Sequence, residues 1–160
     1  MKHLKSYKLF EELDPESLSL ALEFKEKYKR IKIELDDILI SLNDDGIKYK
    51  ISDFIDLGIA EISIIIEDKS EEYLDDGLKV TKKLFTWEKI KHEILHVISF
   101  LESEDLQFSM LEVQQFISNE FHNHVIYDKA EIEELEDSFK FTSFEITFYN
   151  EEISKSYDRS

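Results

Sequence analysis

The chain has no cysteine, one proline (Pro15) and three glycines among its 160 residues. The first absence excludes disulfides and thiolate zinc sites. The scarcity of proline and glycine leaves no stretch with the composition of a linker, so one domain over residues 1–160 is expected. No apolar run approaches the roughly 18 residues of a membrane-spanning helix. Lys5, Lys8, Glu11 and Glu12 stand where a secretory signal would be apolar, which predicts a cytoplasmic protein with no membrane partner. Positive charge is also scarce: 20 Lys and Arg face 37 Asp and Glu, a net charge of −17. Direct nucleic-acid binding needs a basic footprint and is not expected. What is present is a core. Hydrophobic residues make up 42% of the chain, with 12 Phe and 7 Tyr, far above the content of a disordered acidic tail.

The charge is uneven. Residues 1–30 carry seven basic and six acidic side chains, net +1. Residues 31–100 carry nine and sixteen, net −7, and residues 101–160 carry four and fifteen, net −11. The negative charge therefore lies mainly towards the end of the chain, behind a near-neutral, lysine-rich head.

Periodicity predicts an α+β domain with an antiparallel or mixed sheet of 4–6 strands and 4–5 helices. Leu4, Tyr7, Phe10 and Leu13 line one side of a short amphipathic helix over residues 1–13. Asp14-Pro15 is a helix start, with a second helix expected from Pro15 to about Tyr28. Alternation at Ile31, Ile33 and Leu35, and again at Ile38, Ile40 and Leu42, predicts strand. Asn43-Asp44-Asp45-Gly46 then reads as a hairpin turn into a strand with Ile47, Tyr49 and Ile51. Ile62 to Ile66 suits a central strand, and Leu78, Val80 and Lys82 a short edge strand. Thr86 is expected to cap a long helix whose apolar face is Trp87, Ile90, Ile94, Val97, Ile98 and Leu101. Ser109 and Glu112 have capping-box spacing for a further helix containing Leu111, Phe116 and Ile117. Asp128 and Glu131 predict a short helix near 129–137. Phe139 and Phe141, then Phe144, Ile146 and Phe148, read as strand with a break at Thr142-Ser143. The last ten residues, 151–160, have little to bury and are expected to form a flexible tail.

One motif carries chemistry. His92-Glu93-Ile94-Leu95-His96 is H-E-x-x-H on the predicted long helix. Residues one turn apart project to the same side, so His92 and His96 can reach one zinc ion while Glu93 accepts a proton from the bound water. At about 100° per residue, however, the two histidines lie roughly 160° from the apolar stripe, so another element must cover them. The motif resembles that of the zincins, and the resemblance implies a metallohydrolase with zinc as cofactor and Glu93 as catalytic base. Ser99 and Glu102 stand where the metzincin pattern has Gly and His. Asn119-Glu120 resembles the downstream Asn-Glu of the gluzincins, which implies Glu120 as third ligand. Glu102 and His122 are the alternatives. The same segment also resembles short endoribonucleases with H-G-x-L-H-x-x-G-x-x-H, from which it departs at Glu93, Ser99 and Glu102. His122-Asn123-His124 is expected at a helix end.

The acidic residues themselves form a second candidate. They cluster from Glu67 to Asp76 and in Glu131, Glu133, Glu134, Glu136 and Asp137. Neither run has the D-x-[DN]-x-[DN]-G pattern of a calcium loop. A folded surface of carboxylates can compete for a nucleic-acid-binding protein's groove by electrostatic complementarity. Residues 1–13, with an early lysine, spaced aromatics and a closing Glu12, resemble the starts of small accessory proteins of large tailed bacteriophages. That resemblance implies a virion-associated or early host-takeover product, acting in the virion or the host cytoplasm. The leading expectation is a non-enzymatic acidic protein without a cofactor. It would bind a protein partner through its negative surface or through Leu4, Tyr7 and Phe10. A zinc hydrolase is the alternative.

Overall fold

The computed structural model describes residues 15–56, 59–67, 71–73, 80–82, 84–118 and 120–150. The predicted helix over 1–13 and the predicted tail over 151–160 lie outside them.

The first helix, α1 (Pro15–Leu39), runs through the first segment expected to be a strand and into the second. Phe24, Ile31, Leu35 and Leu39 are buried along it, with Leu20, Tyr28 and Ile38 packed beside them. These positions recur every three or four residues. Ile31 and Leu35 satisfy both the two-residue and the helical period. The positions that separate the two readings are Ile33, 64% exposed, and Ile40, 60% exposed, which an inward-facing strand would have buried. No proline or glycine interrupts the chain between Pro15 and Gly46, so the helix continues.

A single turn, α2 (Ser41–Asp44), inserts Leu42 into the core. Asn43-Asp44-Asp45-Gly46 closes this helix and is not a hairpin turn. Gly46 takes φ +75, and Ile47 N–H returns to Leu42 O at 3.0 Å. Strand β1 (Lys48–Asp56) follows as expected, but its partner is β2 (Ile59–Glu67), joined antiparallel with Asp56 opposite Ile59.

Two short strands, β3 (Glu71–Tyr73) and β4 (Val80–Lys82), pair with each other. Strand β5 (Phe85–Thr86) leads into α3 (Trp87–Ser103), whose six expected apolar residues are all buried. Asp105 at φ 61 ends that helix, with Leu106 N–H donating to Leu101 O at 3.0 Å. The residues from Ser109 to Ile117 are not a helix. They belong to β6 (Gln107–Ile117), an eleven-residue strand with an irregularity between Phe108 and Met110. Leu111 and Val113 alternate inward and are buried, and this burial outweighs the capping-box spacing. Strand β7 (Glu120–Ile126) therefore carries His122 and His124 on a sheet edge rather than at a helix end. Helix α4 (Lys129–Glu133) is shorter than expected, and β8 (Lys140–Phe141) pairs with β5. Strand β9 (Ser143–Tyr149) follows the predicted break at Thr142-Ser143.

The main sheet has five strands in the order β1-β2-β9-β6-β7, with every neighbouring pair antiparallel. With four described helices, this is the expected α+β architecture. Helices α1 and α3 cover one face. Under them lie Ile62, Ile64 and Ile66 of β2 and Phe144, Ile146 and Phe148 of β9. Trp87 stacks on Phe144 with ring centroids 5.8 Å apart, and Phe141 meets Phe85 edge-on at 4.3 Å. Each such large apolar side chain, fully buried, contributes about 1.5–3 kcal/mol. The other face is polar along its middle strands, where Ser63 and Thr147 share a hydrogen bond at 3.2 Å and Tyr149 Oη donates to Gln107 Oε1 at 2.8 Å, and exposes Phe54, Phe121 and Val125 on its outer strands.

Candidate functional site

The acidic segment is displayed by its apolar neighbours. Asp128 caps α4, its Oδ1 accepting from Ala130 N–H at 2.9 Å. Ile132 is fully buried, and Leu135 and Phe139 are partly buried against the core. The intervening Glu131, Glu133, Glu134, Glu136 and Asp137 are all exposed. The segment is tied to α3 at both ends. The first amides of α3 have no intrahelical acceptor. Trp87 N–H donates to Phe139 O at 2.8 Å and Glu88 N–H to Asp137 O at 3.1 Å. These backbone acceptors do the capping expected of Thr86, whose side chain makes no capping bond. Lys91 pairs with Asp137 at 2.9 Å, and Lys129 holds Glu102 in the last turn of α3 at 2.7 Å.

Beside this segment runs β7. Among the described residues its one sheet neighbour is β6. In the register, His124 lies opposite Val113, a residue buried beneath the helices, so His122 and His124 share the helix side. Gln115 bonds His124 at 3.1 Å, and the His124 and Phe139 rings meet at 6.5 Å, which sets the acidic segment against that side of the strand. Phe121, Asn123 and Val125 face the other way. Phe121 is 55% and Val125 44% exposed, and Tyr127 just beyond is 72% exposed.

The H-E-x-x-H residues sit elsewhere, in a cleft of about 560 Å³ between α3 and the end of α1. His92 and His96 are exposed on α3, away from the buried stripe as the helical wheel requires. Glu34, Asp37, Ile38 and Ser41 line the opposite wall, with Phe100 at one end. Glu93 accepts a hydrogen bond from Ser41 Oγ at 3.1 Å. The residues considered as a third ligand do not line this cleft: Glu120 and His122 are on β7, and Glu102 is engaged by Lys129. Among the described residues, no three metal-ligating side chains are gathered closely enough to hold an ion. The two carboxylates that do face the histidines, Glu34 and Asp37, were hidden by the strand reading of 31–42. A helical reading places them three residues apart, beside the buried stripe. Leu4, Tyr7 and Phe10 lie outside the described residues.

Three further groups are shifted by their surroundings. Glu104 is held below its ordinary value of 4.5, chiefly by the hydrogen bond from Arg30. That bond is a two-pronged contact at 3.0 and 2.6 Å, which ties α1 to the turn after α3. Glu145 is pushed up by burial and then by Glu112, directly opposite it on the polar face of the sheet. The Tyr28 hydroxyl is raised to about 12 by burial and by Asp53 and Asp36. No described helix is long and apolar enough to cross a membrane.

Compared with known proteins, the chain matches no family model, no curated protein and no solved structure.

Proposed function

We propose that this chain is a non-enzymatic binding protein that engages a basic protein partner through its negative surface, with Glu131, Glu133, Glu134, Glu136 and Asp137 as the principal contacts. The observation behind this reading is the arrangement of those five residues. All are exposed on a segment whose apolar residues are anchored in the core, and Asp137 alone among them has a described ion pair. Carboxylates held in this way attract a basic surface at long range without first having to fold. A nucleic-acid-binding protein is the partner class whose chemistry fits, since its groove is built to hold a row of negative charges. The resemblance of residues 1–13 to phage accessory proteins supports an activity in a virion or host cytoplasm, with Leu4, Tyr7 and Phe10 as a second contact.

The test is binding of a lysine-rich peptide at low and high salt. The Glu131→Gln/Glu133→Gln/Glu134→Gln/Glu136→Gln variant is compared with a control that neutralises Glu23, Glu34, Asp44 and Asp45. Both lose the same charge. The reading expects the first variant to bind more weakly and to lose much of the salt dependence, while the control changes little. Equal loss in both would reduce the effect to net charge and defeat the proposed site.

A second reading rests on the cleft. His92, His96, Glu34 and Asp37 line one cleft and are residue types that zinc accepts, although as placed no three of them are gathered around one ion; with a metal bound there, Glu93 would be the base. Zinc titration by calorimetry tests it. One-to-one binding that disappears in His92→Ala/His96→Ala favours the hydrolase, and absence of binding removes it.

A further inference from the structure

Strand edges in soluble proteins are normally protected by lysines, proline, bulges or a covering element, because their unpaired backbone groups accept strands from other chains. Strand β7 reads Glu-Phe-His-Asn-His-Val-Ile, with a single charge at its first residue and no proline. Among the described residues it pairs on one side only, with β6, and no bulge interrupts that pairing. In an antiparallel pair, alternate residues direct their N–H and C=O groups away from the partner. This edge therefore presents a template about seven residues long, beside a segment bearing five exposed carboxylates.

We infer that β7 is the docking edge for an extended segment of a basic partner, which adds to the sheet as a sixth strand next to β7. This rests on the acidic-partner reading above and specifies how that partner binds. The two faces of the edge differ, and the difference defines the partner's sequence. On the helix side, the segment that bears Glu131, Glu133, Glu134 and Glu136 meets β7 through the Phe139 and His124 rings, so partner residues on that side would be Lys or Arg. On the opposite side Phe121 and Val125 offer apolar surface, so the alternate partner residues would be Val, Ile or Phe. Backbone bonds would supply affinity, and this alternation of basic and apolar residues would supply specificity. A second copy of the chain is the wrong occupant, because each copy carries a net charge of −17 and would bring its own acidic segment to the same edge.

The experiment uses the full chain and two synthetic ten-residue peptides of alternating Lys and Val. One has an ordinary backbone. The other is methylated at every peptide nitrogen, so it carries the same charge but cannot donate to a strand ladder. Affinity is measured by calorimetry, and amide hydrogen exchange is followed over residues 120–126. The expected result is that the ordinary peptide binds about tenfold or more tightly than its methylated counterpart, the difference a few net backbone bonds make. The outward-facing half of the β7 amides, fast in the free protein, then become protected. Equal binding of the two peptides with no new protection would overturn strand addition while leaving the acidic-surface reading intact. No binding of either peptide would overturn both. Outward amides already protected in the free protein would also overturn it, since the edge would then be taken by the chain itself or by a second copy.

Discussion

Strand β1 carries Lys48, Lys50, Asp53 and Asp56 along one margin of the sheet, whereas β7 at the other margin carries a single charge, Glu120, in seven residues. The two margins also differ in what lies beside them. Tyr49 on β1 reaches the backbone of α1, donating its hydroxyl to Asp36 O at 3.4 Å, and Ile47 and Ile51 are buried beneath that helix. From Phe121 to Val125, every residue of β7 is exposed. Charged residues of both signs, with a helix beside them, are what keep an edge from pairing with other chains. The β1 margin has charges of both signs along it and the β7 margin only one charge, so the contrast marks where a partner strand can enter.

The comparison would break first on stability. Ile51→Ala removes a buried side chain from β1 and is expected to cost about 2–4 kcal/mol, from lost burial and the cavity it leaves. Val125→Ala on β7 is expected to stay within about 0.5 kcal/mol, as exposed substitutions usually do. Denaturant unfolding of the two variants measures both. A Val125→Ala cost near that of Ile51→Ala would mean that β7 is covered and is no open edge.

Transplanting the protection of β1 onto β7 sharpens the comparison from the binding side. Asn123→Lys/Val125→Lys puts lysines at alternate positions, as Lys48 and Lys50 are placed on β1. Uptake of the alternating Lys-Val peptide at low salt should weaken by about tenfold, through like-charge repulsion and loss of the apolar side at Val125. The same peptide titrated into Lys48→Asn/Lys50→Asn should bind no more tightly than to the unmodified protein, because α1 still flanks that margin. Calorimetry checks both variants.

How much of this was legible in the sequence depended on whether two periods competed. The face of α3 could be read outright, because Trp87, Ile90, Ile94, Val97, Ile98 and Leu101 fit one period alone. Ile62 to Ile66 was equally plain as a central strand, though only its alternate residues are buried. Ile31, Ile33 and Leu35 fit both periods, and the contact that decides between them, α1 against the sheet and α3, is made far along the chain. Around Ser109 and Glu112 a local capping pattern pointed to helix, while the pairing with β9 and β7 that makes the segment a strand lies outside any local window. The same two errors hid both candidate sites. The exposed edge could not be seen while β7 was read as a helix end, and Glu34 and Asp37 could not be placed opposite His92 and His96 while α1 was broken at Tyr28. The acidic residues were visible as composition. Their mounting on α3 through Trp87 and Glu88 amides was not, because it rests on backbone groups that every sequence contains.

The clasp between α1 and the end of α3 gives a pH signature to the protected side. The Glu104 carboxyl is held below its ordinary value by Arg30. A carboxylate with a depressed folded-state value contributes stability that is fully present above its unfolded value and is lost as pH falls through the folded one. Arg30→Gln should therefore lower the midpoint of thermal unfolding at neutral pH, by less than the Ile51→Ala cavity does. The deficit relative to the unmodified protein should close as the pH is taken well below 4.5. A deficit that stays constant with pH would assign the effect to packing of the Arg30 stem and not to the ion pair.

The smallest effect expected lies between the two margins, at Glu145 on β9, and it has the opposite sign. Burial, and then Glu112 on the neighbouring strand, push this carboxyl up. A raised carboxyl binds its proton more tightly in the folded state, so unfolding releases protons between the unfolded and folded values and stability falls as pH rises through that window. Above it the ionised Glu145 costs stability at every pH. Glu145→Gln keeps the shape and removes the charge, so it should raise the unfolding midpoint at neutral pH, with solvent screening holding the gain below about 1 kcal/mol. Below the unfolded value both proteins are uncharged at this position and the gain should vanish. Glu112→Gln should recover part of it, because it removes the second cause and leaves burial, the larger one. A basic strand docked on β7 lies two strands from Glu112 on β6 and three from Glu145 on β9, so the gain from Glu145→Gln should persist in the peptide complex. If peptide binding abolished the gain, the peptide would be lying across the polar face of the sheet and not along its edge.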